Sequence, residues 1–394
     1  MENSIHPELD SFSLVKGGPL YQSMVRMRLV IGDSYIPMAI VFVVLTWLPL
    51  LILSVWQGSA TGTDVQIPFL RDYAVHARFL ISLPILILAE GLLDSKLRKT
   101  IRQFTTLNLI TPEDTPRFNS AIRDVHVWRD SALAEALIAI VVVIQSYFVL
   151  SKHGWFSATM SSWHTIPSLV GGTLTTAGWW LEASLSIQIF LQARWLWRLL
   201  IWTKFLARIN RLNLRLIPTH PDRAGGLAFL GGGQTQFGLI VLAVSAAVAG
   251  VGANLIVFEG ETLSAFERNV AFYILLVMAI FISPMFVFMG TLYRVKKKGQ
   301  QEYSALAMDY VRSFDSKWLR DRVSPTEGLL GSPDIQSLAD MVNSFSAIRQ
   351  MMIVPLGRKN LLTFLVAAAI PFLPLLLLVL PAEDLIKGVW KMLF

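Results

Sequence analysis

Cysteine is missing from all 394 residues, which excludes disulfides and thiolate metal sites. Charge is scarce: Asp, Glu, Lys and Arg together make 15% of the chain, against roughly 25% in soluble domains. Enzyme signatures are lacking too. Neither H-E-x-x-H nor G-x-S-x-G occurs, and no Walker pattern is present. The histidines, at positions 6, 76, 126, 153, 164 and 220, never share metal-ligand spacing with a carboxylate. No catalytic residue, metal or cofactor is therefore expected, and an enzyme ranks last among the readings. Residues 1–35 hold no apolar stretch ahead of a small-residue cleavage site. A cleavable leader is not expected, and the first apolar run would serve as its own insertion signal. No internal repeat or low-complexity tract is found.

What the chain has is apolar residues, at 54%, with a mean hydropathy of +0.55. They gather in runs beginning near Ile36, Phe79, Ala132, Ala177, Phe237, Val270 and Leu361. Most of these runs reach the roughly 20 residues that cross a bilayer. The pattern predicts an all-α, polytopic membrane protein with seven transmembrane helices, placed in a plasma or bacterial inner membrane with the lipid bilayer as its solvent. Of the 34 Lys and Arg residues, 28 lie in 1–35, 94–131, 194–235 and 294–360, on every second connection. That asymmetry puts the N-terminus in the cytoplasm and the C-terminus outside. It also accounts for the net charge of +7 without a nucleic-acid partner.

The expected organisation is a cytoplasmic segment 1–35, then helices 1–6 over 36–293 with cytoplasmic connections 94–131 and 204–235. A cytoplasmic helical segment 294–358, a seventh span 361–380 and an outer tail 381–394 follow. The spans are unequal. The second, Phe79–Leu93, is short, with Arg78 reaching for the outer surface. The fourth carries Trp179, Trp180, Trp195, Trp197 and Trp202; its two tryptophan groups are 15 residues apart, about 22 Å along a helix, as two interfacial belts would be. Arg194, Arg198, Arg208, Arg211 and Arg215 follow on one broad face, which predicts a long helix entering the cytoplasm. The fifth, Phe237–Phe258, is rich in Ala and Gly and suits close helix approach. Ser332–Met352 has an N-cap, a proline at the first helical position and helical apolar spacing. This amphipathic helix breaks at Pro355–Gly357 and leads directly into the last span.

Three groups of residues are candidates for function. Glu90, Glu135 and Glu182 stand in apolar context, where a carboxylate marks an ion path or proton relay; solvation, or pairing with a cation such as Arg78, is the alternative. His220, Asp222, Arg223, Gly225 and Gly226 form the densest polar motif, either an anion-holding backbone bowl or a tight turn. Thr363, Val366, Ala367, Ile370, Pro374 and Leu377 share one side of the last span, with Glu383 and Asp384 just beyond it. In a symmetric oligomer these would line a gated pore with acidic rings that favour cations; a lipid-facing helix with a solvated end is the alternative.

The layout resembles the seven-transmembrane ion channel superfamily that includes insect odorant and gustatory receptors. The shared features are the inside N-terminus, the long fourth and sixth helices, and the amphipathic helix joined to the last span. The resemblance implies a tetramer assembled through cytoplasmic helices, with the last span lining the pore. The leading expectation is thus a homo-oligomeric channel passing an inorganic ion. A secondary transporter using Glu90, or a scaffold or sensor that binds a cytoplasmic partner near Asp222 and Arg223, are the alternatives.

Overall fold

The computed structural model describes residues 9, 11–152, 161–166, 173–261, 263–320 and 333–375. These are mainly helical, and the strand content is one short antiparallel pair that sets Thr165 opposite Leu174. Among the described residues, five helices are long and apolar enough to cross a membrane: Ile36–Trp56, Tyr73–Thr106, Phe229–Phe258, Glu267–Arg320 and Arg358–Leu375. Pro112–Arg129 and Ala132–Phe148, bent by 43° where they meet, make a sixth if they count as one span. The described chain is thus a helical protein with several segments long and apolar enough to cross a membrane.

Helix α1 (Gly18–Arg26) precedes α2 (Ile36–Trp56). Pro49 interrupts α2, and a proline has no N–H for the carbonyl four residues back. That carbonyl, on Leu45, accepts instead from the Trp180 indole at 3.1 Å. Helix α3 (Tyr73–Thr106) is longer than the short second run suggests, at 34 residues. Its wider π turn, Ala77–Ser82, lies just ahead of Pro84, the kind of residue that displaces the hydrogen-bond ladder.

Helix α4 (Thr115–Arg129) buries Phe118, Ala121, Ile122 and Val125 and packs on α6 (Thr176–Ile209). Helix α5 (Ala132–Lys152) lies between them in the chain. Helix α6 has 34 residues. Glu182, Gln188, Gln192, Arg194 and Arg198 dilute its apolar character, and it is not among the five apolar helices.

A short helix α7 (Phe229–Gln234) feeds α8 (Gly238–Glu259), whose small residues lie against the N-terminal half of α3. A side chain on Gly250 would stand 2.5 Å from the Ala77 Cβ and 2.9 Å from the Tyr73 carbonyl oxygen. Only glycine permits that approach. Helices α9 (Leu263–Ile282) and α10 (Met289–Asp315) join through a 3₁₀ segment into a rod, Glu267–Arg320, of 54 residues. At 1.5 Å per residue it is about 80 Å long. The 3₁₀ segment starts at Ser283–Pro284, and the Ser283 hydroxyl bonds the Ile280 carbonyl that Pro284 leaves free.

Helix α11 (Pro333–Arg349) runs back along the polar half of this rod. The Asp334 carboxylate accepts from Lys317 Nζ at 2.8 Å and from the Trp318 indole at 3.1 Å. The amphipathic helix read from the sequence thus packs on the rod, which buries Ile348 and leaves Ile335 and Val342 exposed. Helix α12 (Arg358–Ala369) continues through a 3₁₀ turn towards Leu375 and packs on α8 and α9.

Candidate functional site

A helix at membrane depth can hold a charge when a neighbour supplies the opposite one. Glu90 on α3 is 2% exposed. Its Oε1 lies 2.8 Å from Arg198 Nη1 and 3.6 Å from Arg194 Nη1. Arg194 Nη2 also reaches Glu135 Oε1 on α5 at 3.3 Å. The i, i+4 spacing of Arg194 and Arg198 puts both guanidinium groups on one face of α6. Two carboxylates and two guanidinium groups therefore cancel inside the bundle, tying α3, α5 and α6 together. Arg198 also stacks over the Trp195 ring at 4.6 Å.

A segment at the chain's start covers this cluster. Phe12, Leu14 and Val15 are wholly buried, and Phe12 packs against Phe205 of α6 at 5.4 Å. The Ser13 hydroxyl donates to Asp94, whose other oxygen accepts from Arg98 at 2.9 Å. Arg129 donates to the Ser13 carbonyl at 3.0 Å, and Arg98 to that of Phe12 at 3.2 Å. The Leu20 N–H in the first turn of α1 donates to Glu135 Oε2 at 3.0 Å. Arg129 also clasps Asp130 with two bonds of 2.7 Å. Although burial pushes Asp130 up, that clasp and the Gly18 N–H hold its carboxyl below the ordinary value.

Not every polar atom here is satisfied. Arg198 Nη2, Trp197 Nε1 and the Tyr35 hydroxyl are buried without a hydrogen-bond partner. A cavity of about 10 Å³ lies among Val15, Arg129, Glu135, Arg194, Trp197 and Arg198, room for about one water.

Glu182 lies apart from this cluster, buried on α6 beside Ser146. Neither Glu135 nor Glu182 pairs with Arg78, which is held in the field of Asp72. Asp72 is itself buried and pins three elements at the start of α3. It accepts from the Trp163 indole at 2.9 Å, from Asn254 of α8 at 2.8 Å and from the Val75 N–H at 3.2 Å. Beside it, desolvation pulls the His164 imidazole down to about 4, with the Asp72 charge opposing and Arg78 assisting.

The His220–Gly226 motif folds around its own acid. Asp222 Oδ1 accepts from the N–H groups of Ala224 at 2.8 Å and Gly226 at 3.1 Å, and Oδ2 from that of Ala228 at 3.0 Å. Burial alone would raise this carboxyl; those three N–H groups, with His220, bring it below its usual value. Arg223, Gly225 and Gly226 have φ of 56°, 65° and 99°, a left-handed turn that favours glycine. The bowl of N–H groups is thus filled by the chain's own carboxylate, as in a self-capped turn. The Arg223 carbonyl accepts from Met352 N at 2.7 Å, so the turn also grips the break between α11 and α12.

The last helix has two faces. Phe364, Ala368, Phe372 and Leu375 are buried against the bundle, while Thr363, Val366, Ile370 and Pro374 are exposed and Ala367 is half-buried beside Gly238. Leu377, Glu383 and Asp384 lie outside the described residues. Among the described residues no three His, Asp or Glu side chains converge as a metal ion requires.

By charge counting Arg194 and Arg198 belong to the cytoplasmic asymmetry, and no sequence pattern marks Phe12, Leu14 and Val15. The available signal was the Arg-x-x-x-Arg spacing inside an apolar, tryptophan-rich run, which demands buried acids as partners. No protein-family model matches this chain, nor does any curated protein or solved structure.

Proposed function

We propose that this chain is a seven-pass membrane protein, N-terminus in the cytoplasm and C-terminus outside, in a plasma or bacterial inner membrane. It works as a homo-oligomeric channel, a tetramer by analogy, passing an inorganic cation along its last helix. Counting α6 as a span rests on its arginines, which are neutralised by Glu90 and Glu135 rather than offered to lipid.

The observation that carries the channel reading is the two-faced last helix. One side is packed on α8 and α9; the other presents Thr363, Val366 and Ile370 away from the bundle. A stripe of small and apolar side chains around an axis between copies makes a gate that closes by dewetting. The cytoplasmic hairpin α10–α11 connects to this helix through only the short break at Met351–Gly357, so movement of the hairpin is passed to the gate.

The absence of native cysteine makes the test clean. In the reconstituted protein, Val366→Cys is expected to lose most of its ion flux when treated with a charged methanethiosulfonate reagent, while wild type is unaffected. Unchanged flux after verified modification would place this face against lipid and sink the pore assignment.

The buried charge cluster favours a second reading, a carrier that couples transport to a proton on Glu90. A cluster with unsatisfied donors and a water-sized space is suited to opening and closing. Proton-coupled uptake that disappears in Glu90→Gln, without single-channel events, would favour the carrier.

A further inference from the structure

A groove of about 220 Å³ runs between α4 and α6. Its floor is apolar, made chiefly by Trp128, Ile201 and Phe205. Its rim is cationic: Lys204, Arg208 and Arg211 stand there against one carboxylate, Asp124. Two of the three cations are engaged. Lys204 sits over the Trp128 ring at 3.2 Å, and Arg208 pairs with Asp124. Arg211 is exposed and forms no ion pair among the described residues. The groove lies just before the 43° bend from Pro112–Arg129 into Ala132–Phe148. The Trp128 and Trp197 rings meet there at 5.8 Å, as aromatic residues do at a membrane interface.

Apolar floor, aromatic wall and basic rim at one level match one kind of molecule, with acyl chains below and an anionic phosphate above. We propose that this groove binds a phospholipid with an anionic headgroup from the cytoplasmic leaflet, its phosphate held by Arg211 and Lys204. Basic pockets between helices on that side recognise anionic headgroups through the same chemistry. A zwitterionic lipid carries an added cation that the rim repels, and a free phosphate gains nothing from the floor. The inference rests on the membrane topology proposed above and not on conduction.

Native mass spectrometry of the purified protein with added phosphatidylglycerol or phosphatidylcholine tests it. Wild type is expected to retain phosphatidylglycerol preferentially. Arg211→Ala and Lys204→Ala should each weaken that retention about fivefold, as the loss of one near-surface charge implies. Both side chains are exposed, so the variants fold. Lys298→Ala, a basic residue away from the groove and also exposed, should change nothing. Equal retention of the two lipids, an equal loss in Lys298→Ala, or equal binding of tail-less glycerophosphoglycerol would overturn the proposal. Labelling Ser304→Cys with an impermeant maleimide in oriented vesicles checks the topology separately, so a wrong orientation is distinguished from a groove that takes no lipid.

Discussion

Arg198→Met is expected to cost roughly 3–5 kcal/mol of stability, the usual loss when one partner of a buried ion pair is removed. The substitution leaves Glu90 with Arg194 alone, at 3.6 Å, and Arg194 is shared with Glu135. One carboxylate is then uncompensated in a place that water barely reaches. The double variant Glu90→Gln/Arg198→Met should recover most of the loss, because Arg194 and Glu135 still balance each other. A hydrophobic and neutral pair of similar volume is often as stable as the ion pair it replaces. Thermal unfolding in detergent of the two single variants and the double variant measures the coupling. Additive losses would mean that Glu90 and Arg198 do not meet.

The second large effect concerns the segment over this cluster. Phe12→Ala removes a wholly buried ring packed on Phe205, and phenylalanine truncation in a core costs about 3–5 kcal/mol. The local consequence is sharper than the global one. The segment is held by this ring and by the bonds of Arg98, Arg129 and Asp94 to Phe12 and Ser13. Loss of the ring should speed trypsin cleavage at Lys16, which in wild type is tied to Asp33 and is expected to be cut slowly. Equal cleavage rates in the two proteins would show that the ring does not hold the segment.

The helical character and most of the apolar spans are legible in the sequence because both depend on local residue runs. A neighbour for Ser332–Met352 is also foreseeable, since an amphipathic face implies something to pack on; the polar half of the rod Glu267–Arg320 lies along it but leaves Ile335 and Val342 exposed. The charge cluster is harder to see. Arg194 and Arg198 lie more than 100 residues from Glu90 in sequence, and charge counting cannot distinguish a guanidinium facing the cytoplasm from one paired inside the bundle. The N-terminal segment is missed for a different reason. Phe12, Leu14 and Val15 sit among polar residues over too short a stretch to give a period, and their burial depends wholly on the surface they meet. The His220–Gly226 turn is half legible: the glycines announce a turn, but only the fold shows that Asp222 fills it.

The buried charge cluster and the two-faced last helix are different parts of one chain, and the channel reading depends on the second. Single-channel recording of purified protein in planar bilayers tests it most directly. The account predicts discrete, cation-selective openings that shrink when Glu383 and Asp384 are both neutralised. A folded, reconstituted protein that gives no unitary current, or currents indifferent to those two acids, would contradict it.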